Sequence, residues 1–207
     1  YFRRSSKQRN FFTLTKKRNN MKKTLIIFIL ISIPILIYAL RSSYSTNYKL
    51  IKTVGSVEIR EYPKLLFASY YSKVSGDNSK FRVLANYIFG GNDREEQIGM
   101  TSPVNMKISS INNEMLFLMP LRYNETNIPI PNNNEIEIIS VEKRKVATIR
   151  FSGYANDKKV ENKKKQLIET LKNNSIQHTN EFELLVYDSP YKLLNRRNEV
   201  LVVLDSE

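Results

Sequence analysis

The sequence offers few side chains for nucleophilic catalysis or for binding a metal. It contains no Cys and a single His, His178. Because the chain has no thiol, it can form neither a disulfide nor a thiolate metal site, and one His does not build a zinc site of the usual multi-His kind. A Ser-His-Asp triad would have to use His178, which follows the second predicted helix in a predicted loop at residues 173–179. The sequence therefore contains no recognisable catalytic machinery.

Much of the net charge belongs to the N-terminal part of the chain. The formal net charge is +13, yet residues 1–41 hold ten of the 33 basic residues and no Asp or Glu. The remaining residues carry 23 basic and 20 acidic side chains, so the folded part is close to neutral. A domain that binds nucleic acid normally carries a basic stripe of its own. We therefore expect no nucleic-acid partner.

An uncharged apolar run at residues 24–40 predicts a membrane-spanning helix or a signal peptide. The run has 17 residues and follows two Lys residues, and about 17–25 residues are needed to cross a bilayer. A start at Met21 would place Ala39 at a cleavage point, although the large side chain of Ile37 makes that signal imperfect. Because positive charges that precede a span stay in the cytoplasm, we expect the domain on the extracytoplasmic side, either anchored or exported.

The chain is expected to have four parts. Residues 1–20 are polar and basic without periodicity, which predicts a disordered tail. Residues 21–41 form the signal anchor or signal peptide, and residues 42–47 form a Ser-rich linker. Residues 48–205 are long enough for one globular domain with its own core.

The folded part repeats one order of elements twice. Apolar alternation and turn residues predict strands at residues 48–60, 65–74, 104–109, 114–120, 136–139, 146–151, 182–187 and 199–204. Helical spacing predicts two helices, with core faces formed by Phe81, Leu84, Ala85 and Ile88 in the first and by Val160, Lys164, Leu167, Ile168 and Leu171 in the second. We therefore expect an α+β fold of two pseudosymmetric ββαββ halves, which pair edge to edge and carry both helices outside.

Six separated stretches of this domain resemble the SOUL haem-binding family. They are VEIREY at residues 57–62, FRVLANYIFGGN at 81–92, IGMTSPV at 98–104, RFSG at 150–153, YDSP at 187–190 and NRRNEV at 195–200. The resemblance covers about residues 48–204. It looks closer to bacterial or plant members than to animal ones, because of the run Phe89-Gly90-Gly91 and because animal members usually have Trp where this chain has Leu201.

The resemblance implies a distorted antiparallel β-barrel or curved sheet flanked by two helices. It also implies reversible binding of haem or another tetrapyrrole, without a general catalytic activity, in a pocket near the first helix. A haem site needs a flat apolar slot and cations for the propionates. One stripe of the first helix fits this need: Arg82 for a propionate, Phe89 for stacking, Ala85 for room, and Asn86 beside them. In the alternative interpretation, Phe89 caps the core and Arg82 is merely solvated.

The resemblance gives no strong axial ligand for haem iron. One animal branch has a His between Ile-Arg and Tyr, and this chain has Glu61 there. We expect axial ligation to be weak, with His178 an exposed loop residue. Four methionines could ligate iron through sulfur but are more often core residues: Met100, Met106, Met115 and Met119.

Two other functions remain open. An enzyme acting on a small apolar or tetrapyrrole substrate would draw its acid–base groups from Glu58, Glu61 and Tyr87. A membrane-tethered interaction domain would use the basic second helix, whose lysines could also touch anionic lipid. The run at residues 196–199, RRNE, is interpreted as an ion-pair cluster at the entry of the last strand, with a ligand clamp as the alternative.

Overall fold

A computed structural model describes residues 48–72, 79–108, 114–189 and 191–205. The predicted tail, the apolar run at residues 24–40 and the linker lie outside the described residues. Among the residues that are described, no helix combines the length and apolar character that a membrane span needs.

The described residues form nine strands and two helices. The strands are β1 (Lys49–Val54), β2 (Val57–Tyr62), β3 (Leu65–Tyr71), β4 (Val104–Lys107), β5 (Glu114–Leu118), β6 (Ile136–Val141), β7 (Arg144–Phe151), β8 (His178–Val186) and β9 (Asn198–Leu204). The helices are α1 (Lys80–Ile88) and α2 (Asp157–Asn173).

Two of these elements differ from the sequence-based prediction. The run predicted as one strand at residues 48–60 is a hairpin, because Gly55 adopts a φ of +59° in a turn and separates β1 from β2. The predicted loop before β8 is shorter, since His178 pairs with Leu204 and begins the strand.

All nine strands belong to one antiparallel, curved and unclosed sheet with the order β1-β2-β7-β9-β8-β4-β5-β3-β6. Apart from β1, the sheet has a pseudo-two-fold symmetry about the β8–β4 pair. Each strand has a counterpart at the same distance on the other side of this pair: β4 corresponds to β8, β5 to β9, β3 to β7 and β2 to β6. The predicted α+β fold of two ββαββ halves is therefore confirmed. The halves meet edge to edge through β4 and β8, and they also exchange their first strands: β2 pairs with β7, and β6 pairs with β3.

The two helices pack on the same outer face of the sheet, each over its own half. Residues of α2 share an apolar cluster with β2, β7, β8 and β9, and residues of α1 share one with β3, β5 and β6. A third cluster lies on the other face and joins the halves, with Leu65, Phe67, Leu118, Leu185 and Leu201 among its members. Because side chains alternate along a strand, Val57 and Ile59 of β2 face α2 while Arg60 and Tyr62 face inward.

The core face of α1 is rotated from the predicted one. Leu84, Tyr87 and Ile88 are fully buried, whereas Phe81 is 46% exposed and Ala85 is only half-buried. Phe81 keeps an edge-on contact with Phe117, with ring centroids 5.3 Å apart. Tyr87 can be buried because its hydroxyl donates a hydrogen bond of 2.8 Å to the Pro129 carbonyl. The prediction that Phe81 belongs to the buried face was therefore wrong.

Candidate functional site

The stripe formed by Arg82, Ala85, Asn86 and Phe89 lies on the side of α1 that faces away from the sheet. The spacing of i, i+3, i+4 and i+7 brings these residues to one face of a helix. Arg82, Asn86 and Phe89 are exposed, and Phe89, the residue that ends the helix, has 63% of its surface accessible. The structure therefore brings the four predicted residues together at the surface. It also rules out the interpretation in which Phe89 caps the core.

In the ranges that the structure describes, Arg82 is not engaged by a carboxylate, unlike two other arginines of the domain. In the described part of the chain, no acidic side chain forms an ion pair with Arg82, whereas Arg60 and Arg197 are both paired with Glu199. A guanidinium presents up to five donors in a planar fork that matches a carboxylate. Arg82 is therefore available to an anionic ligand at the helix surface.

The loop that follows α1 holds Phe89 in position. The backbone N–H of Phe89 donates to the Ala85 carbonyl, and the N–H of Gly91 donates to the Asn86 carbonyl, at 3.0 and 2.9 Å. Asn92 is buried and its amide Nδ2 donates to the carbonyls of Tyr87 and Glu96, at 3.1 and 2.8 Å. These bonds satisfy carbonyl groups that a helix end would otherwise leave unpaired.

Asn86 has a structural task within the stripe. A Cβ added to Gly91 would lie 2.6 Å from Asn86 Nδ2 and 2.7 Å from the Asn86 carbonyl oxygen, so the Gly91 backbone packs directly against Asn86. The side chain thus borders the turn that ends the helix, and the role of Asn86 in ligand binding stays a prediction.

A neighbouring loop adds an apolar residue that the sequence-based prediction missed. Ile130 is 65% exposed, and its segment is hydrogen-bonded to the loop after α1: the N–H of Asp93 donates to the Ile130 carbonyl at 2.9 Å, and the N–H of Ile130 donates to Asp93 Oδ1 at 2.7 Å. An apolar residue between two prolines in an otherwise polar loop was the available signal. Ile130 is thus an exposed apolar side chain on a segment that is hydrogen-bonded to the loop after α1.

Glu61, which stands where an animal branch has a His, belongs to the other half of the sheet. It lies on β2 and pairs with Lys143 at 3.0 Å. The apolar cluster of α1 draws on β3, β5 and β6, and five strands separate β2 from β3 in the sheet order. Because the first strands are exchanged, Glu61 lies in the part of the sheet that packs against α2, whereas the stripe lies on α1.

The acid–base groups proposed for an enzyme do not converge. Glu58 and Glu61 project from opposite faces of β2, because they are three residues apart on a strand. Glu58 pairs with Arg60 at 2.7 Å, and Tyr87 is buried on α1, where burial raises the pKa of its hydroxyl above the ordinary value. The structure brings no two of these groups into one crevice.

The remaining metal-ligand candidates are structural or peripheral. Met119 is buried under α1, and Met100, Met106 and Met115 are half-buried against the apolar clusters. His178 is half-buried, and its Nδ1 lies 2.6 Å from the Thr179 carbonyl oxygen. Within the described ranges, no group of three or more His, Cys, Asp or Glu side chains could hold a metal ion.

The run at residues 196–199 forms the predicted ion-pair cluster. Glu199 is fully buried, and its carboxylate accepts hydrogen bonds from Arg60 at 2.6 Å, Arg197 at 2.7 Å and the Tyr187 hydroxyl at 2.9 Å. Burial alone would raise the pKa of Glu199, but Arg60 and Arg197 outweigh it and hold that pKa below its ordinary value. The cluster links β9 to β2 across the intervening strand β7, and both carboxylate oxygens of Glu199 accept hydrogen bonds.

The basic face of α2 remains a prediction as a partner surface. Lys158 and Lys165 are exposed, while Lys163 donates to Gln166 at 2.8 Å and the Lys164 ammonium lies 4.5 Å from the Phe182 ring centroid. Two of these lysines thus have roles within the domain.

Two solved structures show the same fold at low sequence identity. The C-terminal domain of EcmrR superposes with a TM-score of 0.54 and 13% identity, over 73% of this chain and 98% of that domain. A hydrolase from Listeria innocua gives a TM-score of 0.52 and 7% identity, over 75% of this chain and 94% of that one. At such identities the likeness concerns the fold alone.

Proteins of higher sequence identity allow a family to be assigned. Heme-binding protein 1 of Xenopus laevis is 31% identical over 156 residues, which is 69% of this chain and 80% of that protein. The same protein of Sus scrofa is 28% identical over 124 residues, covering 56% of this chain and 65% of that one. The family model for SOUL heme-binding proteins matches residues 44–203, which span all nine strands but the last residue of β9, and both helices. The chain therefore belongs to the SOUL heme-binding protein family.

Proposed function

We propose that this protein binds haem or a related tetrapyrrole reversibly, for carriage or buffering and not for catalysis. The observation that carries the proposal is the surface stripe on α1, where Arg82 and Phe89 are exposed on one helix face. Membership of a haem-binding family supports the ligand class. The exposed stripe supports helix α1 as the location of the binding site.

The residues of the stripe fit a flat, apolar dianion. Arg82 would bind a propionate through charge-assisted hydrogen bonds, which are stronger than neutral ones. The exposed ring of Phe89 would stack on the macrocycle, and the small side chain of Ala85 leaves the surface between them open. Ile130 on the adjoining loop extends the apolar area. The haem would supply its own redox and ligand chemistry, and these residues would bind and orient it.

We propose that binding depends on shape and charge more than on an axial ligand. The position used by an animal branch is Glu61, which is engaged with Lys143 on the other half of the sheet. The four methionines contribute to the core or its borders. We therefore expect a spectrum of weakly ligated haem and an affinity that responds to Arg82 and Phe89.

We propose further that residues 24–40 tether the protein to a membrane with the domain on the extracytoplasmic side, or direct its export if the segment is cleaved. The uncharged run and the basic residues before it support this topology. The near-neutral folded part supports a ligand other than nucleic acid. Protease protection of the domain in sealed vesicles tests the topology.

Haem titration of the full chain tests the ligand proposal. The wild type should give a saturable shift of the Soret band at micromolar haem. Arg82→Glu and Phe89→Ser should each weaken binding about tenfold or more, because one removes a charge-assisted hydrogen bond and the other a stacking surface. Both positions are exposed, so the fold should be retained.

Matched substitutions on other elements serve as controls. Arg150→Glu changes an exposed arginine on β7, and Leu50→Ser changes a half-exposed apolar residue on β1. Neither should alter the haem titration. Equal losses in the stripe and control variants would contradict the placement on α1, and a wild type without a Soret shift would contradict haem binding itself.

A further inference from the structure

A groove of about 540 Å³ lies on the other half of the domain, between the edge strand β1 and the segment after α2. This volume is within the range of about 300–1,000 Å³ that is usual for small-molecule sites. Six of its lining residues define its chemistry: Ile51, Ile59, Ile176, Leu204, Lys52 and Lys145. None of them belongs to the α1 stripe.

The groove exists because α2 does not cover the edge of the sheet. All of the buried side chains of α2 pack in the cluster formed with β2, β7, β8 and β9. The next strand, β1, has five exposed residues out of six. After α2 ends, Ser175 adopts a φ of +53° and the N–H of Ile176 donates to the Leu171 carbonyl at 3.0 Å. This reversal turns the chain back toward the sheet and forms the second wall of the groove.

The lining combines four apolar side chains with charged ones. Ile59 is buried, Ile51 is 44% exposed, and Ile176 and Leu204 pack against the α2 cluster. Lys52 and Lys145 bring two positive charges to the lining and Asp205 brings one negative charge, and Lys145 also takes part in an interaction within the domain. An apolar body would fit the isoleucines, and a small anionic group would be attracted to the two lysines.

We propose that this groove is a binding site for an amphiphilic anion, with an apolar body and one carboxylate or phosphate head. The anion's body would lie on Ile51, Ile59 and Ile176, and its head would lie near Lys52 and Lys145. The site is separate from the haem stripe and does not depend on the proposed haem binding.

Methyl NMR of the full chain in nanodiscs tests the proposal, with octanoate, octyl phosphate and 1-octanol as probes. Octanoate or octyl phosphate should shift the δ1-methyl signals of Ile59 and Ile176 in a saturable manner, and the stronger of the two identifies the head group. Octanol should bind more weakly, because it lacks the charge. Saturable shifts that spare these two methyls would overturn the proposal, as would the lack of any saturable shift.

Charge variants on exposed lysines provide the matched comparison. Lys52→Glu and Lys52→Gln should weaken octanoate binding, the first about fivefold. Lys165→Glu makes the same charge change on the exposed face of α2 and should leave the affinity unchanged. All three variants should retain wild-type haem titrations. Equal effects at positions 52 and 165 would attribute any binding to overall charge and would refute the site.

Discussion

Two acidic side chains of the described domain, Glu183 and Glu199, are almost completely inaccessible on the inner face of the sheet. Glu183 accepts hydrogen bonds from Asn105 at 2.8 Å and from Lys107 and Arg144 at 3.0 Å. Burial tends to raise the pKa of each carboxyl, but the cations around it prevail and lower it. The inner face of the sheet thus combines an apolar cluster with two buried networks of ion pairs.

Removing the Glu199 charge should destabilise the fold. In Glu199→Gln, Arg60 and Arg197 would remain in place without their shared carboxylate, although Arg60 keeps Glu58. Breaking a buried ion pair from one side typically costs about 3–5 kcal/mol. We expect a loss of about 3 kcal/mol in the free energy of unfolding, measured by urea denaturation at pH 7. Glu61→Gln, which breaks only the surface pair with Lys143, should cost less than about 1 kcal/mol.

The same carboxylates predict how stability depends on pH. Because the pKa of Glu199 and that of Glu183 are lower in the folded state than the ordinary 4.5, their stabilisation is complete above that value and is lost as the pH falls through the folded pKa. The free energy of unfolding should therefore decline below about pH 4.5. Glu199→Gln should show a shallower decline, and an acid limb identical to that of the wild type would contradict this assignment.

Whether the sequence alone predicts an interaction between two residues depends on how far apart they lie along the chain. The pair of Arg197 and Glu199 lies within one short run, and the ion-pair interpretation of residues 196–199 was correct. Arg60, which is 139 positions from Glu199, could not be assigned as its partner without the strand order. The stripe of Arg82, Ala85, Asn86 and Phe89 follows from helical spacing alone, whereas Ile130 required the tertiary pairing of two loops.

At the scale of elements, the sequence pattern predicted the position of helix α1 but not which of its faces is buried. Its location and its stop at Gly90 and Gly91 were predicted, because glycines end helices. Its rotation was not, because Phe81 and Tyr87 are both apolar enough to be buried. The hydrogen bond from Tyr87 to Pro129 decides between them, and Pro129 lies 42 residues away.

Gly91→Ala should disturb the end of α1. The added methyl group would lie 2.6–2.7 Å from the Nδ2 and carbonyl oxygen of Asn86, so either the helix end or the loop must move. Overpacking of this kind costs about 1–3 kcal/mol. We expect a lower melting temperature together with weaker haem binding, since Phe89 is held by this turn.

A second glycine supplies the control for that variant. Gly55 has a left-handed φ of +59° but no atom within 4 Å of an added Cβ, and Asn tolerates this conformation. Gly55→Asn should therefore change neither the stability by more than about 0.5 kcal/mol nor the haem titration. A Gly91→Ala variant as stable as the wild type would show that the packing against Asn86 is not rigid.

At the scale of the whole molecule, the strand order could not be read from the chain. The repeat of ββαββ was visible because periodicity is local, and edge-to-edge pairing of the halves was a correct inference. The exchange of β2 and β6 between the halves was not predicted, because the sequence of a strand does not identify the strand with which it pairs. Because of this exchange, three strand pairs join the halves, namely β2–β7, β3–β6 and β4–β8, where β4–β8 alone would otherwise do so.

The exchange of first strands predicts which fragments of the protein can fold. Fragment 1–126 lacks β7, the partner of β2 in the other half, and fragment 127–207 lacks β3, the partner of β6. Neither fragment should therefore fold alone, and their mixture should recover the native circular dichroism spectrum. Fragment 56–207 lacks the edge strand β1, whose residues are mostly exposed, and should fold by itself. A cooperative melt for either of the two half fragments would contradict this expectation.

The exchanged strands also bear on the origin of the fold. A free-standing ββαββ unit would leave its first strand and the edge of its second without partners, and an identical copy would supply both. Such a unit would therefore have existed as a homodimer with a two-fold axis between the strands that became β4 and β8. Fusion of two copies would keep every strand pairing while releasing the halves from being identical. In such a fused chain one helix could carry the exposed Arg82 and Phe89 while the other carries a row of lysines.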